Sequence, residues 1–384
     1  GLSTPGSGVW DTNVAQWSTD GNLTDSPVLW DTTSAAAFPA GTTGISLLSV
    51  TVNDAIDFAG SFNGFAGPTV SAGSLVFTGS GSLNLVPGQQ AVYTAINTNN
   101  TIFRVPVTGT GGIQHQGIVG TGGSLYLATN NTFSGGFSFG NNSGVNINNN
   151  DAFGTGPVTM DYPTVIVALP AIDSTGAPFS TNTLSTNNPI TITNAIMTYP
   201  GSCTNIFVGL GAALGDAQVT FTGPMTLRGG AGTTTTFDVR NTNWTFAGPI
   251  SGGANFRKKQ TATIILSGSN TFTGNILVEN GTLSVDSINS VAGGNPASSL
   301  GAPTTPADGV IALGTTTTAG VLVYTGAGET TDRNVDLPGT TGGATIQNSG
   351  TGRIILTGNV TASGAGAKVL LLTGVNTSSN EIAG

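Results

Sequence analysis

Apolar residues in this chain recur in short alternating runs closed by Gly, Asn, Ser or Thr. Leu75-Val76-Phe77, Leu83-Asn84-Leu85, Leu125-Tyr126-Leu127 and Val145-Asn146-Ile147 are early examples. Ile190-Thr191-Ile192, Val219-Thr220-Phe221, Met225-Thr226-Leu227 and Phe237-Asp238-Val239 continue the series. A period of two places successive side chains on opposite faces, so each run predicts a short strand. Thr, Ser and Asn fill the outward positions, and β-branched Thr suits a pleated surface. The Gly and Asn between runs tolerate positive φ and predict tight turns. No long segment carries apolar residues at helical spacing, so the fold class is all-β.

Many short strands with frequent turns fit two architectures: tandem antiparallel β-sandwiches, or a β-solenoid whose rungs stack in parallel. Internal repetition favours the solenoid. One segment runs Leu266, Gly268, Asn270, Phe272, Gly274, followed by Gly281 and Leu283. An earlier one matches it in register through Leu127, Asn131, Phe133 and Gly135. A third begins at Leu372 and reaches Asn376 by the same four-residue step, then degenerates at Ser378.

The pattern Leu-x-Gly-x-Asn-Thr-aromatic-x-Gly, with Gly-x-Leu further on, resembles the autotransporter-associated β-strand repeat of large secreted bacterial proteins. Trp10-Asp11, Trp17-Ser18 and Trp30-Asp31 resemble the tryptophan-bearing opening of such proteins just after signal cleavage. The resemblance implies a right-handed parallel β-helix, extracellular or on the cell surface after signal-peptide removal, used as a stalk, adhesin or fibre. Residues 1–45 then read as an N-terminal tryptophan-bearing cap, and 46–384 as β-solenoid repeats. No C-terminal translocating barrel is visible, so the expectation is a portion of a longer polypeptide.

Composition sharpens this picture. Charged residues are 7% of 384, with 9 Lys+Arg against 18 Asp+Glu and a net charge of −9. Stacked rungs hold equivalent side chains about 4.8 Å apart, where like charges repel, so hydroxyl and amide side chains replace Lys and Glu. Asn can also bond its neighbours above and below in a ladder. No basic face exists for a nucleic-acid partner. No apolar run approaches the roughly 18 residues of a membrane span, so membrane insertion is not expected.

The chemistry-bearing residues are few. His115, the single histidine, lies in a Gly-rich stretch and reads as an exposed or turn residue. Cys203, the single cysteine, has no basic neighbour and reads as a buried, inert thiol; a disulfide between subunits is the alternative. Asp54 with Asp57, and Glu329, Asp332, Arg333 and Asp336, are the carboxylate groupings to weigh for glycosidase or lyase work. They read as solvated turn charges, because Arg257-Lys258-Lys259 is the one basic run and stands apart from them. No catalytic, metal or cofactor residue is therefore assigned and no enzyme is expected. Trp10, Trp17 and Trp30 are the residues suited to stacking glycans. The expected function is an extracellular structural protein, either a β-solenoid stalk or a self-assembling filament or surface-layer subunit. An adhesin-type passenger binding glycans or cell surfaces comes second and a polysaccharide-acting β-helix enzyme third. Self-association is the expected partnership.

Overall fold

Alternation turns into stacking because a run with one apolar face cannot bury that face alone, whereas successive runs laid in register can. A computed structural model describes residues 47–58, 74–93, 100–116, 124–140, 144–169, 189–209, 219–292 and 297–384, with short strands at Gly8–Trp10, Ala36–Phe38 and Phe62–Gly64. They fall in two compact units, Gly1–Leu184 and Ser185–Gly384. Most of the cap assigned to 1–45 lies outside the described residues. Both units are parallel β-solenoid. Among the described residues, named strands pair only in parallel, and the two antiparallel contacts are isolated bridges. Antiparallel sandwiches are thereby excluded.

In the first unit one coil is three strands, Leu47–Val52, Ala55–Phe58 and Phe62–Gly64. Each pairs with the strand three elements later, Ser74–Thr78, Ser82–Leu85 and Gln89–Tyr93 respectively. The next coil, Asn100–Phe103, Val107–Gly109 and Gly112–Gln116, repeats the operation. Each of these coils thus contributes one strand to each of three faces.

The second unit shows the columns most clearly. Val219, Trp244, Ile264, Leu283, Leu322 and Ile346 are register partners in successive coils, and all are buried. A coil takes 19 residues from Ile264 to Leu283 but 39 from Leu283 to Leu322. The difference is an inserted segment between Gly281–Val285 and Ile311–Leu313. Aromatic rings follow the same stacking: Phe237 and Phe256 lie 4.5 Å apart at 22°, and Phe221 and Phe246 5.1 Å apart at 10°.

Outward positions behave as their chemistry requires. Thr191, Thr220 and Thr245 form one column, continued by Ile265 and Ser284. Where charges do occur, neighbours differ in sign. Asp238 is the partner of Lys259, which approaches Glu279 of the next coil at 3.9 Å. Arg240 closes on Asp238 at 2.6 Å, and Arg257 also pairs with Glu279.

The glycine of the repeat has a steric cause. Gly223, Gly248 and Gly268 follow the same buried column in three consecutive coils. A Cβ on Gly268 would stand 2.3 Å from the Gly248 carbonyl oxygen, and one on Gly248 would stand 2.1 Å from that of Gly223. Coils pass too closely here for any side chain.

Candidate functional site

The most specific sequence motif builds an interior joint. Asn270 is buried; its Oδ1 accepts the Ile250 N–H at 2.8 Å and its Nδ2 donates to the Ser299 carbonyl at 2.7 Å. Asn131 repeats the arrangement, accepting from the Val107 N–H at 2.9 Å and donating to the Ala152 carbonyl at 2.8 Å. Each side chain therefore ties the coil before it to the coil after it, through backbone groups that are buried and need partners. The expected Asn ladder takes this form: amide to backbone across three coils. Phe133 and Phe272, two residues on, are buried, and Phe272 stacks against Phe256 at 5.9 Å. Leu127, Leu266 and Leu283 are buried, and Gly135 and Gly274 sit where a Cβ would strike the preceding coil's backbone. Gly281 adopts φ +71 in the turn entering the strand that carries Leu283.

In the third copy the register differs from the spacing. Leu372 is the register partner of Ile346. The Oδ1 that receives the Ile354 N–H, at 3.0 Å, belongs to Asn380. Asn376 instead donates to the Gly350 carbonyl at 2.7 Å. Asn380-Glu381-Ile382 thus stands where Asn270-Thr271-Phe272 stands, four residues later than the Leu-to-Asn step implies. Asn348 donates to the same Asn380 Oδ1 at 2.7 Å, an amide-to-amide rung between coils.

The acidic grouping is half-buried and hydrogen-bonded into the chain rather than free in solvent. Glu329 accepts the N–H groups of Ile288 and Asn289, each at 2.8 Å, and Asp332 accepts those of Val291 and Ala292. Arg333 is buried between them and the inserted segment. Its Nε donates to Gly309 O at 2.8 Å, and its Nη1 to Leu300 O at 2.9 Å and Ile288 O at 3.5 Å. Burial lowers the guanidinium to about 10, while Asp332 and Glu329 pull the other way, so it stays charged at neutral pH. The reading as solvated turn charges is corrected: Glu329, Asp332 and Arg333 form a clasp on the insertion. Asp336 instead accepts from the Thr361 and Ser363 hydroxyls of the next coil. Burial pushes its carboxyl up, but these hydrogen bonds and the Ser363 and Leu337 N–H groups outweigh burial and hold it below the usual range. Asp57 accepts from Asn84 at 2.6 Å on the neighbouring coil, and Asp54 is half-buried.

His115 is likewise corrected. It is buried within strand Gly112–Gln116, and its Nε2 lies 3.1 Å from the Gly144 carbonyl. That partner is an acceptor, so Nε2 carries the proton. Cys203 is a free, buried thiol whose pKa burial pushes up. Strand Gly8–Trp10 pairs with Val50–Val52, Trp10 opposite Val52; Trp17 and Trp30 lie outside the described residues. Among the described residues no cluster of three His, Cys, Asp or Glu could hold a metal ion, and no helix is long and apolar enough to cross a membrane.

The basic run divides. Arg257 and Lys259 face outward onto Glu279, whereas Lys258 shares an inward column with Phe237 and Val278. Its Nζ donates to the carbonyls of Lys259 at 3.2 Å, Asn280 at 2.8 Å and Gln260, the last at φ 66. Burial lowers this ammonium from 10.5 to about 8, against an opposing pull from Asp238. Between those values the unfolded chain binds the proton more tightly, so stability rises with pH across that window, by up to about 3 kcal/mol. In urea unfolding from about pH 8 to 10.5, wild type should gain on Lys258→Met. Parallel curves for the two proteins would contradict the assignment.

The fold and the motif together define a parallel β-solenoid joined internally by repeat asparagines. No family model matches the chain, and no solved structure matches it. Over 285 residues, 73% of its length, the chain is 30% identical to a protein named Adhesin BmaC autotransporter of Brucella suis biovar 1 (strain 1330). The match spans 7% of that much longer relative. It relates this chain, at a coarse level, to autotransporter proteins, the same direction in which the repeat motif points.

Proposed function

We propose that this chain is a length of extracellular stalk in an autotransporter-type adhesin: a scaffold that carries surface outward from the cell and does no chemistry. The observation that carries the reading is the fate of its polar groups. Asn131, Asn270, Lys258, Glu329, Asp332 and Arg333 all spend their hydrogen bonds on the chain's own backbone. Side chains so engaged hold coils together and are not poised toward a substrate. The similarity to a protein named as an adhesin supports a cell-surface location. It also favours a second reading, in which the outer faces themselves bind glycans or a cell surface.

One set of measurements separates the two. Antibody against the chain should label intact cells. Beads coated with the purified chain should bind no glycan array or host-cell surface saturably and should turn over no acidic polysaccharide. Saturable glycan binding, lost in Trp10→Ala or Trp17→Ala, would overturn the pure stalk in favour of the adhesive surface.

A further inference from the structure

Asn280 and Gly281 make the turn that enters strand Gly281–Val285. Gly281 stands at φ +71, and a Cβ there would lie 2.4 Å from the Gln260 carbonyl oxygen, so the turn demands glycine. Its N–H donates to the Asn280 Oδ1 at 2.8 Å, which holds the main-chain nitrogen against the side-chain carboxamide. The carboxamide Nδ2 has no partner among the described residues, and both residues are half-buried, within reach of water. The same peptide bond is gripped from its other side. The Asn280 carbonyl oxygen accepts Lys258 Nζ at 2.8 Å, and Lys258 is buried. The charged groups around that ammonium are Asp238 in the preceding coil, Glu279 in the next, and its own neighbours Arg257 and Lys259.

We propose that Asn280 is a self-modification site, at which the Gly281 nitrogen attacks the Asn280 side chain and Lys258 promotes the step. The Gly281 N–Cγ bond forms, the Cγ–Nδ2 bond breaks, and ammonia leaves carrying the Gly281 proton, which closes a cyclic imide. Water then opens the imide at either carbonyl and leaves aspartate or isoaspartate, with no other co-reactant. The obstacle to such a closure is the weak acidity of a peptide N–H. Losing that proton puts negative charge on the carbonyl oxygen of the same peptide, and this is the oxygen that Lys258 holds. A buried cation aimed at an oxygen where charge develops stabilises that charge more than water does. Burial lowers the ammonium only to about 8, with Asp238 opposing the fall, so it is largely charged at neutral pH. Both reactants belong to the chain itself, so the scaffold reading is untouched. Aspartate puts a carboxylate on the residue that Lys258 already holds. Isoaspartate adds a methylene to the backbone just before Gly281, the register partner of Gly320 in the next coil.

Incubation of the full chain at neutral pH tests this, with products mapped by tandem mass spectrometry and isoaspartate counted by its specific methyltransferase. Conversion at Asn280 should run roughly tenfold faster in the folded chain than in the same chain held in urea. Lys258→Met, with its fold checked by circular dichroism, should lose that acceleration and leave the rate in urea unchanged. A second readout needs no variant. The folded rate should flatten above about pH 8 as Lys258 loses its proton, whereas the rate in urea keeps climbing with hydroxide. A folded chain that converts no faster than the unfolded one overturns the proposal. So does a folded Lys258→Met protein that converts as fast as wild type, or a folded rate that climbs through pH 8 in parallel with the rate in urea.

Discussion

Asn270→Ala should cost on the order of 2–5 kcal/mol, far more than removal of an exposed asparagine. The side chain is buried and holds two backbone groups in different coils, Ile250 N–H and Ser299 C=O. Alanine satisfies neither and leaves a void. Each orphaned buried group costs about 1–3 kcal/mol, so the two together outweigh the modest net value of an ordinary hydrogen bond. Solenoid stability is close to a sum of nearest-neighbour terms, so the damage should be local. Hydrogen exchange should accelerate first in Ile250–Gly252 and around Ser298 and Ser299. Asn270→Asp refines the test. The carboxylate still accepts from Ile250, but its other oxygen faces the Ser299 carbonyl, acceptor against acceptor. Burial and that contact raise the carboxyl pKa, so the variant should recover stability as pH falls and the protonated oxygen donates to Ser299. Alanine should show no such recovery. A loss below about 1 kcal/mol for Asn270→Ala would mean the joint is not there.

The parts of this architecture that sequence reveals are those governed by a short period. Alternation at Ile264, Leu266, Leu283 and Val285 sets which side chains face inward, and the repeat positions Gly268, Asn270 and Phe272 each have a steric or hydrogen-bonding cause that recurs. Alternation also carried a signal for Lys258. Phe256 is apolar and Lys258 follows it by two, so the middle residue of the basic run points inward. His115 was masked by its glycine-rich surroundings, although Ile113 two residues before it marks the inward phase. The clasp had no local signature. Glu329 meets Ile288 across 41 residues, and nothing near either residue announces the other. The register of the third repeat copy misleads for a related reason: four extra residues between Leu372 and Asn380 are absorbed in a turn, and spacing alone cannot distinguish a shifted asparagine from a substituted one.

Arg333→Met should destabilise the second unit by a few kcal/mol and open the inserted segment before anything else. Two effects compete. The guanidinium is buried, and the fall of its pKa from 12.5 to about 10 is a net penalty of about 3 kcal/mol, desolvation less the pull of Asp332 and Glu329, and methionine would relieve the desolvation. Against this, methionine leaves the carbonyls of Gly309 and Leu300 without their donor and weakens the hold on Ile288. Bonds from a charged donor are worth about 1.5–3 kcal/mol each, and the buried acceptors cannot turn to water, so the loss exceeds the relief. The consequence reaches the Asn270 joint, because Ser298 and Ser299 belong to the segment that Arg333 fastens. Arg333→Lys should recover only part of the loss: one ammonium cannot match a planar fork that serves carbonyls from three points of the insertion. Limited proteolysis should cut the variant between Asp286 and Val310 while the coils on either side stay protected. Cleavage beginning instead in the flanking strands, or a methionine variant as stable as wild type, would show that the insertion is held by its apolar contacts alone.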